Sequence, residues 1–202
     1  MNFENISTDD GTILVKTARK AVTQYLTNHK KISDPIFDEK FSFNAGVFVT
    51  INDKSGLRGC IGYPLAVKKL SDALIDAAIS ASTNDPRFSP VKINDLDDLV
   101  FEVTVLSDTE ELSTHSDDDI LDSIKIGRDG LIVERGFQSG LLLPQVPIEY
   151  NWNTEQFLNH TCHKAGLSND SWKDTATKIS KFQGIIFREI LPDCEIIQEK
   201  FQ

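Results

Sequence analysis

The residues Leu57-Arg58-Gly59-Cys60-Ile61-Gly62-Tyr63-Pro64 concentrate the chemistry of this chain. Side chains alternate along a strand, so Arg58, Cys60 and Gly62 share one face if the pairing is regular. A guanidinium beside a thiol stabilises the thiolate and lowers its pKa, which is what a nucleophilic cysteine needs. Glycine adds no packing to a strand and costs entropy. Gly59 and Gly62 therefore predict a bulge, or a place where another group approaches the backbone. Arg58 could bind a carboxylate or phosphate through its rigid fork, or form a structural pair with one of the many acidic residues. Cys60 could be a nucleophile or redox thiol, or a small buried hydrophobe, which is how free cysteine commonly behaves. No histidine stands near it in sequence, so a general base would have to come from elsewhere in the fold.

Other residues could complete such a site. Arg87, in Asp85-Pro86-Arg87-Phe88, is a second arginine on a rigid turn. It could clamp the same anion, or it and Asp85 could fix the loop locally while Phe88 plugs the core; the local reading is preferred. Glu102 and Glu134 are charged residues within apolar runs. Either serves as a general acid or base if buried near Cys60, or faces solvent in an alternating strand. Gln145, after Pro144, could bind a ligand through its amide or cap a turn. His160 and His163 share a helix face that Cys162 does not join. Zinc sites need three or four ligands, so no metal site is expected. Trp152 is read as packing at a lobe boundary, with stacking on a planar ligand as the alternative, and Cys194 as incidental. Glycine-rich phosphate loops are absent, and no cofactor is expected.

Composition bounds what such a site could serve. A chain of 202 residues can hold one substantial core, or two small lobes sharing one. Its formal charge of −10 repels phosphate backbones at long range, which disfavours nucleic-acid binding while leaving room for a local basic patch. Three cysteines, none in a CxxC pair, fit reduced thiols better than a disulfide framework. The segment from Met1 to Asp10 is polar and acidic, with no apolar signal region. The most apolar helical stretch, 70–81, is interrupted by Asp72 and Asp76 and is shorter than the ~20 residues a bilayer requires. The expectation is a cytoplasmic protein without membrane contact.

The elements that must position these residues follow from periodicity. Helical spacing of Ile13, Leu14, Ala18, Ala21, Val22 and Tyr25 predicts a helix over 12–27, with a loop to Phe41. Residues 45–51 read as a strand, 52–56 as a turn and 57–63 as the returning strand of a hairpin. A helix follows over 67–82, and Pro86 and Pro90 force the next stretch out of helical geometry. A strand is expected at 100–106, a short helix from Asp117 through Ile124, strands at 131–134 and 140–143, a helix at 154–165 and a strand at 182–189. Hairpins interleaved with helices indicate an α+β fold, an antiparallel sheet with helices packed on it.

The motifs LRGCIGYP at 57–64, NDPRFSPV at 84–91, FEVTVL at 101–106 and LLLPQVPIEYNWNTEQFL at 141–158, in that order and spacing, resemble the AMMECR-one family. CHKAGL at 162–167 resembles its prokaryotic members. The resemblance covers nearly the whole chain and implies a single α+β domain of two tightly joined, unequal lobes, with the LRGCIG segment near the cleft between them. It supplies no activity. Some microbial relatives are fused to, or encoded beside, a Memo-type domain and a radical-SAM protein, which makes such proteins expected partners. Pro147 departs from the family, where alanine is more usual. Two functions follow as expectations. One is a cysteine-dependent enzyme acting on a small anionic metabolite held by Arg58 and Arg87. The other is a non-catalytic module that binds a protein partner or RNA.

Overall fold

The computed structural model describes residues 3–112 and 116–199. Helix α1 (Thr8–Asn28) begins at a capping box: the Ser7 hydroxyl accepts from the Asp10 N–H, and the Asp10 carboxylate accepts from the Ser7 N–H. The helix therefore starts five residues before the first periodic apolar position, Ile13. The following stretch, read from sequence as a loop, holds a short helix, α2 (Pro35–Lys40). Asp34 accepts from the Ile36 and Phe37 N–H groups, and Pro35 occupies the first helical position, where its missing donor does no harm.

The chain divides into two compact units, one running to Ser107 and resuming at Ile185, the other comprising Asp108–Gly184. In the first unit, β1 (Gly46–Asp53) pairs antiparallel with β2 (Gly56–Tyr63) on one side and with β3 (Val100–Leu106) on the other. Val47, Val49 and Ile51 of β1 and Phe101, Val103 and Val105 of β3 are fully buried. They form one core with the apolar faces of α1 and of α3 (Leu70–Thr83). Ala73, Ala77, Ala78 and Ala81 give α3 the small face that close helix–sheet packing requires. The opposite face of this sheet, at Phe48, Thr50 and Cys60, is half-buried.

In the second unit, β5 (Asp129–Arg135) and β6 (Gln138–Leu142) form a hairpin closed by Gly136 and Phe137, with Gly136 at φ 61°. Its core gathers Leu131, Val133, Leu142, Phe157, Cys162 and Trp172. The two-residue strand β4 (Glu110–Glu111), α4 (Asp117–Ser123), α5 (Val146–Glu149) and α6 (Thr154–Lys164) complete it. Strand β7 (Lys178–Glu189) begins here, between β4 and β5, and ends in the first unit, where its last residues pair with β8 (Ile196–Glu199). It starts four residues earlier than the apolar pattern indicates. The strands β4 and β8 and the single turn α5 are too short for periodicity to reveal.

One buried ion pair ties the first unit together. Arg19 of α1 donates to both carboxylate oxygens of Glu189, at 2.7 and 2.6 Å, and also to the Leu96 and Leu99 carbonyls. Glu189 additionally accepts the Phe101 N–H at 2.9 Å. Among the described residues, no helix is long and apolar enough to cross a membrane.

Candidate functional site

Strand β2 stands at the end of the order β2-β1-β3, so among the described residues one of its edges has no neighbouring strand. An uncovered edge presents orphan N–H and C=O groups that must find partners. At Cys60 they find them in the Asp85-Pro86-Arg87 turn. Asp85 accepts the Cys60 N–H at 2.9 Å, and an Arg87 Nη2–H donates to the Cys60 carbonyl at 3.2 Å. The same carboxylate accepts from the Arg87 backbone N–H at 3.1 Å, from Nε at 2.9 Å and from Nη2 at 2.7 Å. Two side chains thus supply the acceptor and donor that an adjacent strand would supply. Asp85 is 5% exposed, whereas the Arg87 side chain is 54% exposed. The Arg87 guanidinium holds the Asp85 carboxyl well below the usual carboxylate range; burial opposes this, and the Cys60 N–H assists it. Phe88 does not plug the core: it is half-buried, with the Arg87 guanidinium 5.3 Å from its ring centre.

The two glycines of the hexapeptide are required by the chain's own packing. A Cβ on Gly59 would lie 2.0 Å from the Ala81 carbonyl oxygen of α3. On Gly62 it would lie 2.2 Å from the Val47 carbonyl oxygen and 2.6 Å from the Phe48 ring. The close approach expected at these glycines comes from α3 and from β1.

Cross-strand register sets Cys60 opposite Thr50, and Thr50 opposite Glu102. The Thr50 hydroxyl is 3.3 Å from the Cys60 sulfur. Burial pushes the thiol up; Thr50 and Arg87 pull it down, and Glu102 and Asp85 push it up again, leaving it above its ordinary value. The reading of Arg58 as the cation that activates Cys60 is therefore corrected. Ile51 opposes Gly59 while Asn52 opposes Leu57, so Arg58 is the unmatched residue of a β-bulge, outside the regular alternation. Its guanidinium pairs with Asp53 at 3.3 Å, and the arginine whose charge acts on the thiol is Arg87.

The remaining candidates separate. Cys60, Arg58, Arg87, Gly59, Gly62 and Glu102 all belong to the first unit, and Gln145 to the second. Gln145 precedes α5, where its carbonyl accepts from Ile148 and Glu149. Its side-chain oxygen is buried without a hydrogen-bond partner among the described residues. Glu134 is exposed. Cys162 is fully buried in the core of the second unit, and burial raises its thiol pKa. His160 stacks on Trp152 with ring centres 3.8 Å apart, and Trp152 stacks in turn with Tyr150. Among the described residues no group of three or more His, Cys, Asp or Glu could hold a metal ion. The sequence reading missed Thr50 and underrated Asp85. Thr50 sits at an ordinary position of an alternating strand and gives no local signal. Asp85 had a signal in its rigid turn with Arg87, but not in its reach to an edge distant in sequence.

This arrangement sits on a backbone shared with other chains. A protein of Methanothermobacter thermautotrophicus is 50% identical over 94% of this chain and 99% of its own length. Protein MJ0810 of Methanocaldococcus jannaschii is 45% identical over 96% of this chain and 98% of its own. The crystal structure of uncharacterized protein PH0010 from Pyrococcus horikoshii superposes with a TM-score of 0.91 at 44% identity, covering 97% of this chain and 99% of that one. The AMMECR1 family model matches residues 15–187, a span that includes the hexapeptide, the turn that covers its edge and most of both units. With that match and relatives of this likeness over nearly their full length, the chain belongs to the AMMECR1 family.

Proposed function

We propose that this chain is a binding protein that meets a partner protein through the sheet face carrying Thr50, Cys60 and Glu102, with Cys60 a protonated contact and not a nucleophile. The observation that carries the reading is that Arg87, the cation beside Cys60, is already held by Asp85 through two side-chain hydrogen bonds, while burial pushes the thiol up. A thiol above its ordinary value is neutral at pH 7, and the thiolate is the reactive form. Both arginines that could hold a small anion already have carboxylate partners, Arg58 with Asp53 and Arg87 with Asp85. A charge of −10 favours a partner with a basic surface and repels RNA. The Memo-type and radical-SAM proteins that the family resemblance implies are the partners to test first.

A second reading rests on the row Cys60–Thr50–Glu102. In a cysteine-dependent enzyme acting on a small anionic metabolite, a ligand that drew Arg87 away from Asp85 would meet a thiol with the Thr50 hydroxyl 3.3 Å away on β1 and the Glu102 carboxylate one strand further, on β3. The two readings part on one measurement, the alkylation rate of Cys60 against pH, followed by mass spectrometry with Cys162 and Cys194 as internal controls. The binding reading expects a midpoint above the free-thiol value of about 8.5 and modification slower than at exposed Cys194. A midpoint well below that value, restored to normal in Arg87→Ala, would overturn it in favour of the enzyme.

A further inference from the structure

The second unit contains a cavity of about 280 Å³ that plays no part in the site at Cys60. The start of β7 forms one side of it, and Leu112 and the first turns of α4 contribute to the rest. Thr177 lines this cavity and is 9% exposed, yet its hydroxyl has no hydrogen-bond partner among the described residues. Its backbone N–H is occupied by the Asp174 carbonyl at 2.8 Å, so the turn is satisfied and the hydroxyl alone is not. A buried hydroxyl without a partner disfavours the empty protein, and a ligand that reaches it removes that penalty.

The charges around the cavity narrow the ligand. Lys178 is held by Glu111 and Asp174 by Arg135, each at 2.7 Å. Asp117, exposed at the start of α4, has no partner among the described residues. Lys173 has a loose pair, 3.8 Å from Glu155, and its ammonium lies 4.9 Å from the Trp172 ring centre at the cavity. One carboxylate and one ammonium of the lining thus stand ready for a ligand, beside the apolar side chains of Ile120 and Ile179, both nearly buried. The volume, about 280 Å³, lies just under the range of about 300–1,000 Å³ typical of ligand pockets and suits a small molecule.

We propose that this cavity binds a free aliphatic amino acid. Its ammonium group faces Asp117, its carboxylate takes Lys173 and the Thr177 hydroxyl, and its alkyl chain lies on Ile120 and Ile179. The test titrates the full chain with leucine, isoleucine and valine in turn, by calorimetry and by amide NMR. The expected result is saturable binding of at least one of them, with shifts at the Ile120, Thr177 and Lys178 amides. Isocaproate, which lacks the ammonium, and isoamylamine, which lacks the carboxylate, bind about tenfold more weakly. Thr177→Val weakens binding about tenfold without lowering thermal stability, because the hydroxyl it removes has no partner. Lys173→Met, at an exposed position, weakens it similarly if Thr177→Val fails to fold. A cavity that holds only water shows no saturable shift with any of the three amino acids, and that overturns the proposal. So does equal binding of isocaproate or isoamylamine, or unchanged affinity in a folded Thr177→Val and in Lys173→Met.

Discussion

Removing the Asp85 carboxylate tests whether the turn at 84–91 is what seals the edge of β2. In Asp85→Ala the Cys60 N–H loses its acceptor, and an orphaned buried donor costs about 1–3 kcal/mol. Three further hydrogen bonds from Arg87 are lost with it. The Arg87 side chain is more than half exposed, so water replaces much of that interaction and it contributes about 1 kcal/mol or less. The expected loss is about 1–4 kcal/mol. With an m-value of about 2–3 kcal/mol/M, the urea midpoint falls by about 1 M. Arg87→Ala leaves Asp85 in place to accept from Cys60 but strands a carboxylate that is 5% exposed, so it too should cost about 1–3 kcal/mol. Amide exchange adds a local readout: the Cys60 N–H should exchange faster in Asp85→Ala and stay protected in Arg87→Ala. An unchanged Cys60 amide in Asp85→Ala, or one that loses protection equally in Arg87→Ala, would refute the argument.

Three other outcomes follow from the same geometry. Glu189→Ala leaves the Arg19 guanidinium buried without its counter-charge and should destabilise by about 3–5 kcal/mol in urea unfolding; a loss below about 1 kcal/mol would mean the pair is solvated. Gly59→Ala forces a methyl group against the Ala81 carbonyl, where backbone on both sides must shift. It should cost about 1–3 kcal/mol, and a neutral substitution would contradict the close approach. Stability should also fall in acid. Asp85 is held below its ordinary value by Arg87, and Asp10, despite opposing burial, by its hydrogen bonds from Lys40 and Ser7. Their contribution is fully present above about pH 4, where the unfolded carboxylates are ionised, and is lost as pH falls through the depressed folded-state values. A urea midpoint that did not change between neutral pH and pH 2 would contradict it.

Most of the fold was legible because its long elements carry strong periodicity. The helix at Leu14 to Val22 buries one face, and the strand at Phe101 to Leu106 alternates in sequence although its residues from Val103 on are all buried. The short helix after Asp34 was legible in principle, since an Asp followed by Pro is a helix-start signal, but it has too few turns to show a period. The strands β4 and β8 were not, because pairing with β7 and not their own residues makes them strands. At the candidate site the sequence singled out the hexapeptide on a strand geometry that the structure does not have. Arg58 and Cys60 are two residues apart, and a regular strand would make them neighbours. The bulge opposite Ile51 and Asn52 breaks that alternation, and bulges depend on how two strands meet. The cation that does reach Cys60 lies in a turn 27 residues further on, a proximity created by folding alone.

That substitution of one arginine for another also restricts how a partner could use this region. Strand addition needs free outward N–H and C=O groups on an edge. At Cys60 both groups are already taken, by a carboxylate that is almost fully buried and by the guanidinium it orients. A strand arriving at Cys60 would have to expel Asp85 and leave that charge to be solvated or re-paired. The turn therefore works as a guard on the edge, in the way charged side chains commonly blunt exposed strands. Under the binding proposal, recognition at this place falls to the side chains of the sheet face, where Thr50, Cys60 and Glu102 lie in register. If that is so, a charge reversal at Glu102 weakens partner binding while the Cys60 amide remains protected. An added strand would show the opposite pattern, with binding insensitive to Glu102 and sharply increased in Asp85→Ala.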